Sequence, residues 1–142
     1  METEGMTNMR IRKNPAPAAP SALAAGILED GERALFLCRR NEQGIETVEL
    51  PCVLLQKGEN PVARLSEEFR RQAGIDAQVH EVLFERRHNA GTRKRKLWIP
   101  VLAFKITAKS ASARPAGEFS GYRWLSAKDL AGCRRAKNLL WL

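Results

Sequence analysis

Short apolar blocks separated by turn residues run along most of the chain, and this pattern is typical of β-strands. Asp30-Gly31 separates the first two blocks, and both residue types tolerate the positive φ angles of a tight hairpin turn. A strongly apolar block follows a polar, basic loop later in the chain. The expected strands cover residues 22–28, 33–40, 45–50, 78–87, 97–107 and 121–126.

One segment instead has apolar residues at helical spacing, and it predicts an α-helix. Asn60 can cap its first turn, Pro61 suits its first position and Gly74 can end it. Ser126 can cap a second, short helix, and residues 133–142 predict a terminal helix. The residues expected on the apolar face of the first helix are Val62, Leu65, Phe69 and Ala73.

The order of strands, helix, strands and helix predicts an α/β (α+β) sandwich with a mixed central β-sheet. We expect a single domain over residues 21–142. Residues 1–20 include Pro15, Pro17 and Pro20 and predict a flexible arm. Because no apolar run approaches the roughly 20 residues of a membrane helix, we expect no membrane contact. The N-terminus lacks the apolar core of a signal peptide, which favours a cytoplasmic protein.

The balance of charged residues points to anionic partners. The 142-residue chain has a formal net charge of +8, which favours nucleotides, RNA or DNA as ligands, although such a charge also serves solubility alone. Cys38, Cys52 and Cys133 are far apart and show no metal-ligand spacing. We therefore expect unpaired thiols in a reducing compartment.

The segment PCVLLQKGENPVARLSEEFRRQAGIDA, residues 51–77, resembles the Nudix box. That box reads Gly, five residues, Glu, seven residues, Arg-Glu, an apolar residue, any residue, Glu-Glu, any residue, Gly and an apolar residue. Laid on residues 53–75, it requires no gap. The matching positions are Glu59, Glu68, Phe69, Gly74 and Ile75. The differing positions are Val53 for Gly, Glu67 for Arg, and Arg71 and Gln72 for the paired Glu.

The resemblance extends over about residues 21–131. The block ALFLCRR is similar to a family strand that often ends in an Arg near the substrate phosphates, which makes Arg39 a candidate phosphate ligand. The segment YRWLSAKDL is similar to the late strand and short helix of the family. Glu118 stands where some members place a further carboxylate. The resemblance therefore implies a Nudix-like α/β/α sandwich.

Family enzymes hydrolyse a diphosphate linked to another group, and their carboxylates hold Mg²⁺ or Mn²⁺. The resemblance implies Glu68 as a catalytic residue and Glu59, Glu68 and Glu118 as metal ligands. Arg71 places a cation where a carboxylate is expected, and Gln72 keeps an oxygen but no charge. We therefore expect weakened metal binding, so that the protein uses Mg²⁺ or Mn²⁺ if it is active and otherwise no cofactor.

Two of these residues also have other interpretations. Glu68 is either a metal ligand and general base or a salt-bridge partner of Arg64, Arg71 or Lys57. Arg71 either gives a bound phosphate the positive charge that a metal would bring, or pairs with Glu67 or Glu68.

The densest positive charge lies in a predicted hairpin near Trp98, and its tip cations are Arg93, Lys94, Arg95 and Lys96. This tip either grips an RNA or DNA backbone or a polyphosphate, or is a solvated loop that protects an edge strand from aggregation. We expect Trp98 and Trp124 in the core. The C-terminal LLWL either docks on the core or forms a homodimer contact.

Three functions remain open at this point. The first is a Nudix-fold protein with a degenerate metal site and weak or no pyrophosphohydrolase activity, which binds a nucleotide or another phosphorylated ligand. The second is an active hydrolase that cleaves a nucleoside diphosphate derivative with Mg²⁺ or Mn²⁺. The third is a non-catalytic module that binds RNA or protein. The substitutions in the box favour binding over catalysis.

Overall fold

The computed structural model describes residues 19–142, so nearly all of the arm predicted for residues 1–20 lies outside the described residues. The strands are β1 (Ala22–Asp30), β2 (Arg33–Arg40), β3 (Glu46–Glu49), β4 (Cys52–Leu55), β5 (Gln78–Asn89), β6 (Trp98–Thr107) and β7 (Gly121–Leu125). The helices are α1 (Pro61–Ala73), α2 (Ala127–Ala131) and a 3-10 turn (Lys137–Leu139). No helix in this part of the chain is long and apolar enough to cross a bilayer.

The strands form one mixed sheet. Its order is β3-β2-β1-β6-β5, with β4 beside β1 and β7 beside β2. β1 and β6 run parallel, while the other neighbours are antiparallel. Asp30 pairs with Arg33 across the first hairpin, and Gly31 adopts the positive φ of 67° that this tight turn requires. The hairpin predicted from Asp30-Gly31 is therefore present.

Successive strand residues point to opposite faces, so the sheet carries an apolar core on each side. α1 packs on one face through Leu65, Phe69 and Ala73. Leu130 of α2 and Leu139 of the 3-10 turn pack on the other face. This arrangement is an α/β/α sandwich, which confirms the fold class predicted from the sequence.

α1 begins and ends at the positions predicted from its capping residues. The Asn60 side chain accepts backbone hydrogen bonds at 2.9 and 3.1 Å, and Gly74 ends the helix with a φ of 70°. Gly26 of β1 lies directly under the helix, because a Cβ at that position would come within 2.8 Å of the Phe69 ring. This close approach seats α1 on β1 and fixes which of its residues border β4.

Residues 133–142 do not form the predicted terminal helix. Val48 of β3 donates its backbone N–H to Arg134 O and accepts a hydrogen bond from Ala136 N, both at 2.9 Å. The edge of β3 thus satisfies backbone groups that a helix would have paired internally. The apolar end of the chain docks on the sheet, with Leu139 fully buried and Leu140 exposed.

Candidate functional site

Gln72 joins α1 to the backbone of β4. Its Oε1 accepts a hydrogen bond from Cys52 N at 3.3 Å, and its Nε2 donates to Cys52 O at 2.7 Å. Gln72 is buried, whereas Val62, which the sequence placed on the apolar face, is exposed. The Gln72 oxygen that the sequence left open to a ligand is therefore committed to β4, because the amide completes the backbone hydrogen bonding at Cys52.

Glu68 is enclosed by donors from its own helix. Its Oε1 accepts hydrogen bonds from Gln72 Nε2 at 2.9 Å and from Arg71 Nε at 3.1 Å. Arg64 Nη1 lies 3.8 Å from its other oxygen. The side chain is 17% exposed, so this candidate catalytic and metal-binding carboxylate is a largely covered salt-bridge partner.

Arg71 bridges Glu68 to Glu118, a candidate metal ligand from the loop before β7. Its two terminal nitrogens, Nη1 and Nη2, each donate to one Glu118 oxygen at 3.1 Å. The loop is positioned by Arg114 N, which donates to Ala73 O at 2.7 Å, and by a similar bond from residue 116. The guanidinium lowers the pKa of Glu118 from its ordinary value of 4.5, because it stabilises the ionised carboxylate.

Glu59, the third candidate metal ligand, braces the loop before α1. Its Oε1 accepts a hydrogen bond from Gln56 N at 2.7 Å, and its Oε2 lies 3.3 Å from Arg64 Nε. Arg64 also pairs with Glu67. Arg64 thus forms ion pairs with both Glu59 and Glu67 at the start of the helix.

Arg39, the candidate phosphate ligand on β2, is paired with a buried carboxylate. Its Nε donates to Glu49 Oε2 at 2.7 Å, and Glu49 is only 4% exposed. The guanidinium carbon lies 4.6 Å from the centre of the Phe119 ring, next to Glu118. The positive charge of Arg39 is therefore already balanced within the protein.

The side chains on this face do not fit a divalent metal ion. Mg²⁺ and Mn²⁺ require several oxygen ligands free to converge on one point. Here Glu68 Oε1 and both oxygens of Glu118 face Arg71. Glu68 Oε2 lies nearest Arg64, and the oxygens of Glu59 face Arg64 and a backbone N–H. Across residues 19–142 no group of three or more His, Cys, Asp or Glu side chains is placed to hold a metal ion.

A second candidate region is the loop of residues 90–97 between β5 and β6, which we call the basic loop. Asn89 Oδ1 accepts hydrogen bonds at 2.9 Å from Gly91 N and Leu97 N. Arg95 N donates to Thr92 Oγ1 at 2.9 Å. A Cβ at Gly91 would lie 2.1 Å from Arg95 O, so only glycine fits there. These contacts give the loop a defined shape.

The cations at the tip of the basic loop are exposed, and they are Arg93, Lys94, Arg95 and Lys96. Within the described part of the chain, none of them lies within ion-pair distance of a carboxylate. The loop leads out of β5, which is an edge strand of the sheet. Unlike Arg39 and Arg71, these side chains keep their positive charge unbalanced.

The prediction that Trp98 lies in the core is wrong. Its side chain is 51% exposed, and the Arg87 guanidinium carbon lies 5.5 Å from the centre of its ring. Trp98 starts β6 opposite Asn89 of the edge strand, so the ring remains open to solvent at the end of the sheet. Trp124, by contrast, packs against the core as expected.

Some residues of the site were not singled out from the sequence. Glu49 and Phe119 hold Arg39, and the backbone of Cys52 holds Gln72. No local pattern marked Glu49 as buried, because strand alternation places it on the face opposite Val48 and Leu50. The other two contacts join distant segments, and no local pattern marks them.

Comparison with known proteins gives a result for the fold and none for the sequence. No family model matches the chain, and no curated protein matches it. Many solved structures share its fold. A UDP-X diphosphatase aligns with a TM-score of 0.67 at 14% identity, over 97% of this chain and 65% of that protein. The chain thus spans slightly less than two thirds of that protein.

Two further structures carry the Nudix description. A Nudix hydrolase from Nitrosomonas europaea aligns with a TM-score of 0.62 at 12% identity, over 83% of this chain and 82% of that one. The Nudix domain of Shewanella oneidensis NrtR, complexed with ADP ribose, aligns with a TM-score of 0.60 at 14% identity, over 97% and 92%. The chain therefore has the fold of the Nudix hydrolases. The resemblance seen in the box is confirmed for the fold.

Proposed function

We propose that this chain is a Nudix-fold protein that binds a nucleotide or another phosphorylated ligand without hydrolysing it. The observation that carries the proposal is the Arg71 guanidinium, which bonds to both oxygens of Glu118 and to Glu68. An internal cation thus holds the two carboxylates that would be needed to hold metal ions in a hydrolase of this fold.

The electrostatics of this bridge oppose metal binding. A unit charge about 4 Å away contributes on the order of 4 kcal/mol at an effective dielectric of 20, and a cation at residue 71 makes this contribution repulsive towards Mg²⁺. For Glu68 and Glu118 to turn to a metal, three charge-assisted hydrogen bonds would have to break. We therefore expect little or no metal-dependent hydrolysis.

The basic loop is the better candidate for the ligand surface. Arg39 and Arg71 are neutralised by carboxylates, whereas Arg93, Lys94 and Arg95 project into solvent without an ion pair in residues 19–142. Unbalanced cations attract phosphates and release their counterions. The ADP ribose bound to the NrtR domain supports a nucleotide derivative as the ligand class.

An active hydrolase remains the second candidate. Glu68 is present at its place on α1, and the chain shares its fold with a UDP-X diphosphatase. A substrate phosphate that drew Arg71 away would uncover both Glu68 and Glu118. This candidate requires that substrate binding, rather than the free protein, assemble the metal site.

Hydrolysis is tested with dinucleotide polyphosphates, nucleoside triphosphates and nucleotide sugars in Mg²⁺ or Mn²⁺. We expect release of shorter nucleotides, the products of diphosphate cleavage in all three substrate classes, to be no faster than in the Glu68→Gln variant. The variant is the matched control, because it removes the carboxylate charge and keeps the side-chain shape. Metal-dependent release by the wild type that is lost in this variant would establish the hydrolase instead.

Ligand binding is tested with a labelled oligouridylate of about ten nucleotides, within the range of single-strand site sizes. Four phosphate contacts predict an affinity loss of about 50-fold between 50 and 200 mM salt. Reversing the loop cations to Glu (R93E, K94E, R95E and K96E) should abolish most of this dependence.

The matched control reverses the same number of exposed cations elsewhere, at Lys57, Lys105, Lys109 and Lys128. It changes the net charge equally, so a local ligand surface predicts a much smaller effect. Equal losses in both variants, or a salt-independent affinity, would contradict binding at the basic loop.

A further inference from the structure

A cavity of about 470 Å³ lies where the basic loop meets the C-terminal segment. Its lining includes Arg87, Arg93, Trp98, Lys137 and Trp141. Lys137 Nζ donates to Gly91 O at 2.8 Å and so ties the C-terminal segment to the loop. The volume falls within the range of small-molecule sites, and two indole side chains share the cavity with three cations.

His88 supplies a buried polar group on the same cavity. It is 3% exposed and lines the cavity, and no side-chain hydrogen bond involves it within residues 19–142. Burial, reinforced by the charge of Lys137, lowers the pKa of the imidazole. A neutral imidazole offers one donor and one acceptor, and both are available to a ligand in the cavity.

The aromatic and charged groups select the class of that ligand. Trp98 is half exposed, and a base stacked on an aromatic side chain strengthens single-strand binding by roughly 5- to 150-fold. Among the described residues, neither Arg87 nor Lys137 has an ion-pair partner. The cavity thus combines stacking surface, an open hydrogen-bonding group and positive charge.

We propose that this cavity holds one base of a single-stranded nucleic acid, with the flanking phosphates on the basic loop and Lys137. The base packs on the exposed ring of Trp98 and hydrogen-bonds to His88. This inference rests on the proposed function, because it specifies the ligand of the same basic surface.

The test compares the labelled oligouridylate with an abasic oligomer of the same length and charge. Wild-type protein should bind the oligouridylate about tenfold more tightly. Trp98→Ala should remove this preference and leave abasic binding unchanged. Tyr122→Ala is the matched control, because Tyr122 is also an exposed aromatic residue on a strand, and it should keep the preference.

The outcomes separate the two proposals. Equal, salt-dependent affinity of the wild type for both oligomers would overturn the base site and leave the phosphate-binding function standing. Absence of binding to either oligomer would overturn the base site and phosphate binding at the basic loop together. A preference for the oligouridylate that survives Trp98→Ala would also overturn the base site, and Trp98 is exposed, so this variant is expected to fold.

Discussion

The cation on the outer face of α1 is paired with carboxylates, whereas the cations of the basic loop are not. On α1, Arg71 is fixed between Glu68 and Glu118 by three hydrogen bonds. On the basic loop, Lys94 and its neighbouring cations extend into solvent with no carboxylate in ion-pair distance among residues 19–142. The cation of the first arrangement is neutralised within the protein, and those of the second remain available to anions.

The difference shows that a count of cations does not locate a phosphate site. Arg39 and Arg71 were both candidate phosphate ligands in the sequence, yet both are balanced by acidic partners. A ligand phosphate there has to compete with an existing carboxylate, whereas at the basic loop it replaces only water and counterions. Four predictions test this contrast.

The largest effect is expected for Gln72→Glu, which restores a carboxylate of the box. In the wild type, Gln72 Nε2 donates to Cys52 O at 2.7 Å and to Glu68 Oε1 at 2.9 Å. A buried carboxylate at this position has no proton to donate and would repel both oxygens. We expect a loss of roughly 3 kcal/mol in the free energy of unfolding. Denaturant titration measures it.

The control for that change is Gln78→Glu, which makes the same substitution at an exposed position. It should shift the free energy of unfolding by no more than about 0.5 kcal/mol. Similar stability of both variants would show that the Gln72 hydrogen bonds do not anchor α1 to β4. The Gln72 amide would then not be committed to this contact.

The second effect is expected for Arg71→Glu, which removes the internal cation. The new side chain would join Glu68 and Glu118, so the variant should be destabilised without metal and stabilised by Mn²⁺. At a hundredfold excess over the dissociation constant the gain is about 2.7 kcal/mol. Thermal unfolding with and without Mn²⁺ measures it, and wild type should show no such gain.

Arg70→Glu is the control, because Arg70 lies on the same turn but pairs with Asp76 on the far side of the helix end. It should not gain metal stabilisation. If Mn²⁺ stabilised the wild type as strongly as Arg71→Glu, Arg71 would not block metal binding. The α1 face would then be as open to ligands as the basic loop.

The contacts that close the α1 face also mark the limit of what the sequence could predict. The helix itself follows from local signals, since Asn60 and Gly74 are its caps. The partners of its polar residues do not, because Gln72 meets Cys52 20 residues away and Arg71 meets Glu118 47 residues away. Both contacts depend on how β4 and the loop before β7 pack around the helix.

The basic loop was predictable in its charge and not in its surroundings. Arg93 and the neighbouring cations follow from composition, and the hairpin follows from the flanking strands. Trp98 was misplaced because an apolar strand pattern does not reveal that its neighbour is an edge strand. The cavity with Lys137 and Trp141 depends on a C-terminal segment that pairs with β3 instead of forming the expected helix.

The third prediction concerns pH and the Arg71–Glu118 pair. Arg71 lowers the pKa of Glu118 in the folded protein, so the pair stabilises the protein above the unfolded pKa, and the stabilisation is lost as pH falls through the folded pKa. Both side chains are partly exposed, which limits the gain to about 1 kcal/mol. Arg71→Gln should therefore be less stable than wild type at pH 7.

This difference should shrink as the pH falls below the ordinary Glu pKa of 4.5, and the part of it due to Glu118 should vanish once that carboxyl is protonated. Denaturant titrations across this range measure it. Lys57→Gln, a neutralisation at an exposed cation, is the control and should show no such pH profile. A difference between wild type and Arg71→Gln that is constant with pH would contradict the ion pair.

The smallest effect is expected on the reactivity of the Cys52 thiol. This thiol reports on the contact between α1 and β4, because Gln72 bonds to the backbone of Cys52. Burial raises the pKa of Cys52 to about 12, so the thiol of the folded protein stays protonated and weakly nucleophilic at a pH near 8. In a chain with Cys38→Ala and Cys133→Ala, Cys52 should react with an aromatic disulfide only as fast as the protein opens. Gln72→Glu should accelerate this reaction, and Gln78→Glu should not. Fast labelling of Cys52 in the chain that keeps Gln72 would show that the contact between α1 and β4 is open to solvent. The α1 face would then be as accessible as the basic loop.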